Sequence, residues 1–182
     1  MHALDWIRRE GKCLRRVTAQ RLRSVLQRGK RQCTWCGSQV PKGRRNWCGP
    51  ACVDDFQSIQ PANCAALAFR RDRGICQLCH KDLIRIDSLL LKLQHGPHAD
   101  HDAWHTYLQH LQGLGFRMNA ALWLADHIVP VCKGGGLCDV NGYRVLCLPC
   151  HERITRELNQ ELHKAKRVQR RRSQANKRES ES

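Results

Sequence analysis

The sequence predicts a small, zinc-stabilised α+β fold: a strand–strand–helix core, a helical hairpin inserted ahead of it, and an N-terminal four-cysteine knuckle. Three observations lead there. Twelve cysteines stand among 182 residues, eight of them in four closely spaced pairs, and paired cysteines in a reducing compartment are read as metal ligands before disulfides. Two stretches with apolar residues at helical spacing lie between two C-x-x-C pairs, on either side of Gly96-Pro97. Two short apolar segments flank Gly134-Gly135-Gly136, and the second leads straight into a third helical pattern.

The elements follow in order. Residues 1–31 carry ten Lys/Arg against two Asp/Glu. Leu4, Ile7, Leu14, Val17, Leu22, Val25 and Leu26 interleave with arginines at roughly helical spacing, broken at Gly11, which predicts one or two basic amphipathic helices. Their arginines either face solvent on a packed helix or contact phosphate. Residues 32–60 form a Cys-rich segment, and residues 61–163 the main domain with a helical insert at 82–120. The insert helices are marked by Leu83, Ile86, Leu89, Leu90 and Leu93, then by Trp104, Tyr107, Leu108, Leu111 and Leu114. Residues 164–182 lose apolar periodicity around Arg170, Arg171 and Arg172 and are expected to fray into a disordered basic tail.

Cys33-x-x-Cys36 and Cys48-x-x-x-Cys52 place four thiolates in two pairs across an eleven-residue loop, the spacing of a structural zinc site. The alternative is two disulfides or four free thiols, but so short a segment with few aliphatic residues needs a metal to hold it. Cys76-x-x-Cys79 and Cys147-x-x-Cys150 form a second set across a much longer separation. Cys132 and Cys138 compete for it in principle, but their spacing around the glycine run is not that of a C-x-x-C pair. They are assigned, with Cys13 and Cys64, as free or packing thiols. Two structural Zn²⁺ ions are therefore expected.

Asp126-His127-Ile128-Val129-Pro130 reads as the start of one strand and Tyr143-Arg144-Val145-Leu146 as its return, with Pro149 suited to the first turn of the following helix. This brings Asp126, His127 and His151 to one hairpin, with Asn141 in the loop. Neighbouring strand residues point to opposite sides, so Asp126 and His127 cannot share one task. One can hold a divalent ion while the other takes a proton from water. Asn141 precedes Gly142, where a turn residue is equally at home. His95, His98, His101, His105 and His110 lie on or between the insert helices, with no carboxylate or cysteine at ligand spacing, and are assigned to solvent or packing.

Asp126-His127-Ile128-x-Pro130, the glycine run, Asn141 and Leu146-Cys147-x-x-Cys150-His151 resemble the HNH endonuclease family of ββα-metal nucleases. Arg71-Asp72-x-Gly74-x-Cys76-x-x-Cys79 is similar to the lead-in of its zinc-bearing members, and the whole looks most like the HNH module of zinc-finger annealing helicases. The resemblance covers roughly residues 70–163, and no helicase motor is read in the chain. It implies that His127 is the general base, that Asp126 and His151 hold the catalytic ion, and that Asn141 is the middle residue of the motif. Some relatives carry another ligand one helical turn on, where this chain has Thr155. Two protein ligands completed by water suit Mg²⁺ or Mn²⁺ better than zinc.

The net charge of +16 favours a polyanionic partner. DNA is the expected one, with RNA left open as a substrate and the oligomeric state undetermined. No apolar run reaches spanning length and the first thirty residues lack a signal-like segment, so no membrane association and an intracellular location are expected: cytoplasmic, nucleoid-associated or, in a eukaryote, nuclear. The competing class is a zinc-dependent DNA-binding or adaptor module with an inactive hairpin.

Overall fold

The computed structural model describes residues 1–117 and 119–180. They fall into two compact units, Met1–Leu89 with Trp123–Leu146, and Leu90–Leu122 with Cys147–Ser182.

The first unit opens with α1 (Ala3–Arg9), whose Trp6 and Ile7 are buried while its arginines face out. A 3-10 turn at Gly11–Cys13 ends it, and α2 (Ala19–Val25) starts under a Thr18 cap, whose Oγ1 accepts from the Arg21 N–H at 3.1 Å. Where one or two basic helices are expected, two form, each burying one apolar edge. A third helix, α3 (Pro50–Ser58), was not anticipated. Pro50 at its first position follows Gly49, and Cys52 lies in its first turn. Trp35 lies at the centre of this region, 1% exposed, among Trp6, Ile7, Leu22, Phe56 and Ile59. One apolar core therefore joins the basic N-terminal segment to the Cys-rich one, and Leu137 from the later glycine loop belongs to it.

Helix α4 (Pro61–Arg71) follows, and a reversal at Arg73 and Gly74, both with positive φ, leads to the Cys76 turn. Gly74 admits no side chain, because a Cβ there would stand 2.5 Å from Ile84 Cγ1. Helix α5 (Leu83–His95) then begins. The strands are β1 (Trp123–His127) and β2 (Tyr143–Cys147), paired as a two-stranded sheet. β1 starts three residues earlier than its sequence suggests and stops at His127. Trp123, Leu124 and Ala125 suit a half-buried strand, whereas Pro130 opens a 3-10 turn at Val131–Lys133. Trp123 stacks on Phe69 of α4 with ring centroids 4.3 Å apart.

In the second unit, α6 (His101–Gly113) is capped by Asp100, whose Oδ1 accepts from the Ala103 N–H at 2.9 Å. Leu111 and Phe116 are buried, and the Leu148 N–H donates to the Leu122 carbonyl at 3.0 Å. Helix α7 spans Leu148–Ser180, 33 residues, or about 50 Å at 1.5 Å per residue. The segment expected to fray thus continues as helix to Ser180: no Gly or Pro follows Pro149, and Arg, Lys, Gln and Ala are good helix formers. No helix among the described residues is long and apolar enough to cross a membrane.

Candidate metal centres and active site

Two groups of cysteines gather their sulfurs. The Sγ atoms of Cys33, Cys36, Cys48 and Cys52 all lie within 4.8 Å of one another, and so do those of Cys76, Cys79, Cys147 and Cys150. In the first group Cys36–Cys48 and Cys48–Cys52 are 3.5 and 3.6 Å apart. A tetrahedron with Zn–S bonds of about 2.3 Å has edges of about 3.8 Å, so the spacing suits zinc. The protonation chemistry agrees. Burial works against ionisation of Cys36, but hydrogen bonds from Ser38 and the neighbouring thiols bring it down to about 6. The hydrogen bond with Cys36 pushes Cys48 up, and burial first, then the neighbouring sulfurs, push Cys52 up. Four thiolates cannot share so small a volume without a cation. The two groups can hold two zinc ions.

Each group takes one cysteine pair from a tight turn and another that straddles the start of a helix with proline in its first turn, Pro50 in α3 and Pro149 in α7. Around the second turn, the Gln77 N–H donates to the Val145 carbonyl at 2.9 Å, which sets the turn beside β2.

The hairpin register pairs Asp126 with Arg144 and His127 with Tyr143, and the Ile128 N–H donates to the Gly142 carbonyl at 2.9 Å. Asp126 and His127 consequently face opposite sides of the sheet. Both Nε and Nη2 of Arg144 donate to Asp126 Oδ2, at 3.2 and 3.0 Å. Asp126 Oδ1 has no partner among the described residues, so one carboxylate oxygen is available to a cation.

His127 lies against Tyr143, ring centroids 4.3 Å apart, with its Nε2 buried and unpartnered among the described residues. Burial lowers its pKa; the Asp126 charge opposes this, Arg15 adds to it, and a hydrogen bond with the Gly136 backbone works against it. The net result is a neutral imidazole at pH 7. Its surroundings are fixed by the glycine loop. The Gly136 N–H donates to the Lys12 carbonyl at 2.5 Å, and a Cβ on Gly136 would meet the Lys12 and Leu14 carbonyls at 2.4 Å. Only glycine lets this loop lie against the N-terminal segment.

Asn141 is exposed in a 3-10 turn (Val140–Gly142), where its own N–H donates to Asp139 Oδ1 at 2.9 Å. His151 lies half-buried in the first turn of α7. Cys64 and Cys138 are packing thiols; burial pushes each up to about 11. Two features escaped sequence reasoning. One is Arg144, whose meeting with Asp126 depends on hairpin register. The other is the Arg71–Asp72 clamp: Arg71 donates to Asp72 at 2.8 Å and to the Val140 and Tyr143 carbonyls at 2.7 and 2.6 Å, while Asp72 accepts from the Val145 N–H at 2.9 Å. The adjacency of Arg71 and Asp72 was visible, but not the loop they hold.

No family profile and no solved structure matches the chain. Curated proteins do. Each is named a DNA annealing helicase and endonuclease ZRANB3: that of Bos taurus is 30% identical over 131 residues, 66% of this chain and 12% of the relative, and that of Homo sapiens 30% over 119 residues, 60% and 11%. The protein from Mus musculus is 28% identical over 132 residues, 67% of this chain and 12% of its own length. The chain is similar to part of a DNA-acting helicase and endonuclease. It spans about an eighth of the length of these relatives.

Proposed function

We propose that the chain is a metal-dependent DNA endonuclease of the HNH type, hydrolysing phosphodiester bonds with His127 as general base and with Asp126 and His151 as ligands of a catalytic Mg²⁺ or Mn²⁺. The observation that carries this reading is the end of β1, where a carboxylate with one oxygen unpartnered among the described residues and an imidazole whose pKa burial pushes down face opposite ways. Hydrolysis needs that division between a group that holds charge and a group that moves a proton. The names of the relatives support the substrate class, and the charge of +16 supports a polyanion.

In this reading His127 takes a proton from the attacking water through one ring nitrogen, while the Gly136 backbone orients the ring through the other. The oxygen of that water bonds to phosphorus, the ester P–O bond breaks, and the leaving alkoxide is protonated by solvent. A divalent ion, when bound, would stabilise negative charge on the phosphoryl oxygens and on the leaving group. Asn141 is assigned to holding the loop that precedes β2.

One observation favours a second reading, a zinc-dependent DNA-binding module with an inactive hairpin: Nε2 of His127 is buried, as a structural histidine would be. Nicking of supercoiled plasmid with added Mg²⁺ or Mn²⁺ separates the two. Under the nuclease reading, His127→Ala lowers single-turnover cleavage by roughly 10²–10⁴-fold with zinc content and DNA affinity retained. Wild-type protein that binds DNA but cuts no duplex, branched DNA or RNA with either ion would leave the second reading standing.

A further inference from the structure

We propose that Arg144 makes binding of the catalytic ion depend on nucleic acid: its guanidinium holds the Asp126 carboxylate in the free protein and releases it when a backbone phosphate takes the carboxylate's place. The proposal rests on the reading of Asp126 as an ion ligand. Three observations carry it. The strand register sets the two side chains opposite each other, so they meet without rearrangement. The pair is half-buried, with side-chain exposures of 24% for Arg144 and 18% for Asp126, where a charge pair is screened less than at the open surface. Finally, Asp126 is the only acceptor Arg144 has among the described residues.

That last point separates Arg144 from Arg71. Arg71 is tied to Asp72 and to two backbone carbonyls, and withdrawing it would strand all three. Arg144 leaves behind only a carboxylate, and that carboxylate is the group an ion needs. While the pair is closed, a divalent cation approaching Oδ1 meets an acid whose charge is already neutralised, with a positive guanidinium close by. A phosphodiester offers the guanidinium two charged, non-bridging oxygens that its planar fork can engage together. Once Arg144 bonds phosphate, Asp126 regains its full charge for the ion. By linkage, nucleic acid must tighten the ion by the same factor by which the ion tightens nucleic acid, typically about 5–150-fold for such couplings.

The test measures Mn²⁺ affinity by electron paramagnetic resonance on the zinc-loaded full chain, with and without a phosphorothioate-substituted duplex. For wild type, the duplex should tighten Mn²⁺ by about fivefold or more. Arg144→Ala should bind Mn²⁺ about fivefold or more tighter than wild type without DNA, and the effect of duplex should shrink. Arg144→Lys, with a charge but no fork, should lie between them. Arg144→Gln keeps bulk without charge and serves as the same test if the alanine variant fails to fold. An Arg144→Ala or Arg144→Gln protein that binds Mn²⁺ no tighter than wild type in the absence of DNA overturns the proposal, as does a wild type indifferent to duplex. Asp126→Ala is the separate control: if it binds Mn²⁺ as wild type does, Asp126 is not a ligand and the underlying reading fails.

Discussion

The turn that carries Cys33 and Cys36 and the turn that carries Cys76 and Cys79 are built on one hydrogen-bond scheme. The Cys33 N–H donates to the Ser38 carbonyl, Gly37 to Cys33 and Val40 to Arg31; 43 residues later Cys76 donates to Lys81, His80 to Cys76 and Leu83 to Gly74. Isolated bridges Gln32↔Gln39 and Ile75↔Asp82 repeat the match. Even the preceding arginine corresponds. Arg28 donates to the Met1 and Trp35 carbonyls, and Arg71 to those of Val140 and Tyr143. The differences are instructive. Arg71 has a carboxylate beside it in Asp72, where the first turn has Gly29 beside Arg28. The left-handed position is Gly37 in the first turn and His80 in the second, with φ of +86° and +57°. One backbone solution to presenting two thiolates has thus been joined to an apolar core around Trp35 in one place and to the candidate catalytic strands in the other.

Removing a ligand from each group is the strongest way to break that comparison. Cys48→Ser and Cys147→Ser should each lower zinc content by one ion per chain. Only Cys147→Ser should also abolish plasmid nicking, since Cys147 ends β2 and Cys150 adjoins His151. Metal analysis and nicking on the same preparations decide it, and equal loss of activity would erase the distinction.

Next in size is the acid present only beside the second turn. Asp72→Ala leaves the Arg71 guanidinium without its carboxylate and the Val145 N–H without its acceptor, and should cost about 2–4 kcal/mol in urea unfolding. Burial alone would raise the Asp72 pKa, but hydrogen bonds from Arg71 and Val145 override it and hold the carboxyl below its usual value. Its folded pKa being depressed, the stability it confers is fully present above the unfolded value near 3.9 and is lost as pH falls through the folded one. Asp72→Asn should flatten that acid limb relative to wild type. An unchanged limb would assign the acid sensitivity elsewhere.

His127 titrates in a different window. Burial depresses its pKa below 6.5 in the fold, so between its folded and unfolded values the unfolded chain binds the extra proton. The contribution of the neutral ring is therefore complete above about pH 6.5 and declines as pH falls toward the folded value. Stability measured from pH 7.5 to 5 should fall less steeply in His127→Phe than in wild type. Parallel curves would mean that the ring stays accessible to protons.

The smallest effect sharpens the comparison most directly. His80→Gly places in the second turn the residue type that the first turn already has, relieving a left-handed side chain for a gain of about 0.5–1 kcal/mol. Gly37→Ala should lose about 1–2 kcal/mol, since it adds a Cβ in the left-handed region and directs it at the Arg28 guanidinium. Thermal melting of the two variants reads both signs.

Which of this was legible in the sequence follows from how local each feature is. The gathering of Cys33, Cys36, Cys48 and Cys52 is written in short spacings, as are the helices broken at Gly11 and at Gly96-Pro97. The kinship of the two turns is not, because it resides in backbone hydrogen bonds that many side chains permit; beyond C-x-x-C the two stretches share little. The expected strand start falls three residues late because Ile128 and Val129 look strand-like, while the chain at Pro130 turns to bring Gly134 and Gly136 against Lys12 and Leu14. The opposition of Arg144 and Asp126 inherits that uncertainty, since register depends on the end of the loop. Helix α3 was hidden by cysteines and glycine at its start, which read more readily as a metal loop.

The placement of the two cysteine groups also orders their appearance during synthesis. The first is complete once residue 52 has been added, whereas the second lacks a member until residue 150. At roughly 5–20 residues per second, the ribosome takes about 5–20 s to cover the difference. During that interval Cys76 and Cys79 emerge with half a site. The first group can thus take an ion beside a core whose buried members, Leu137 apart, lie within residues 3–59, and the second only as α7 begins to leave the tunnel.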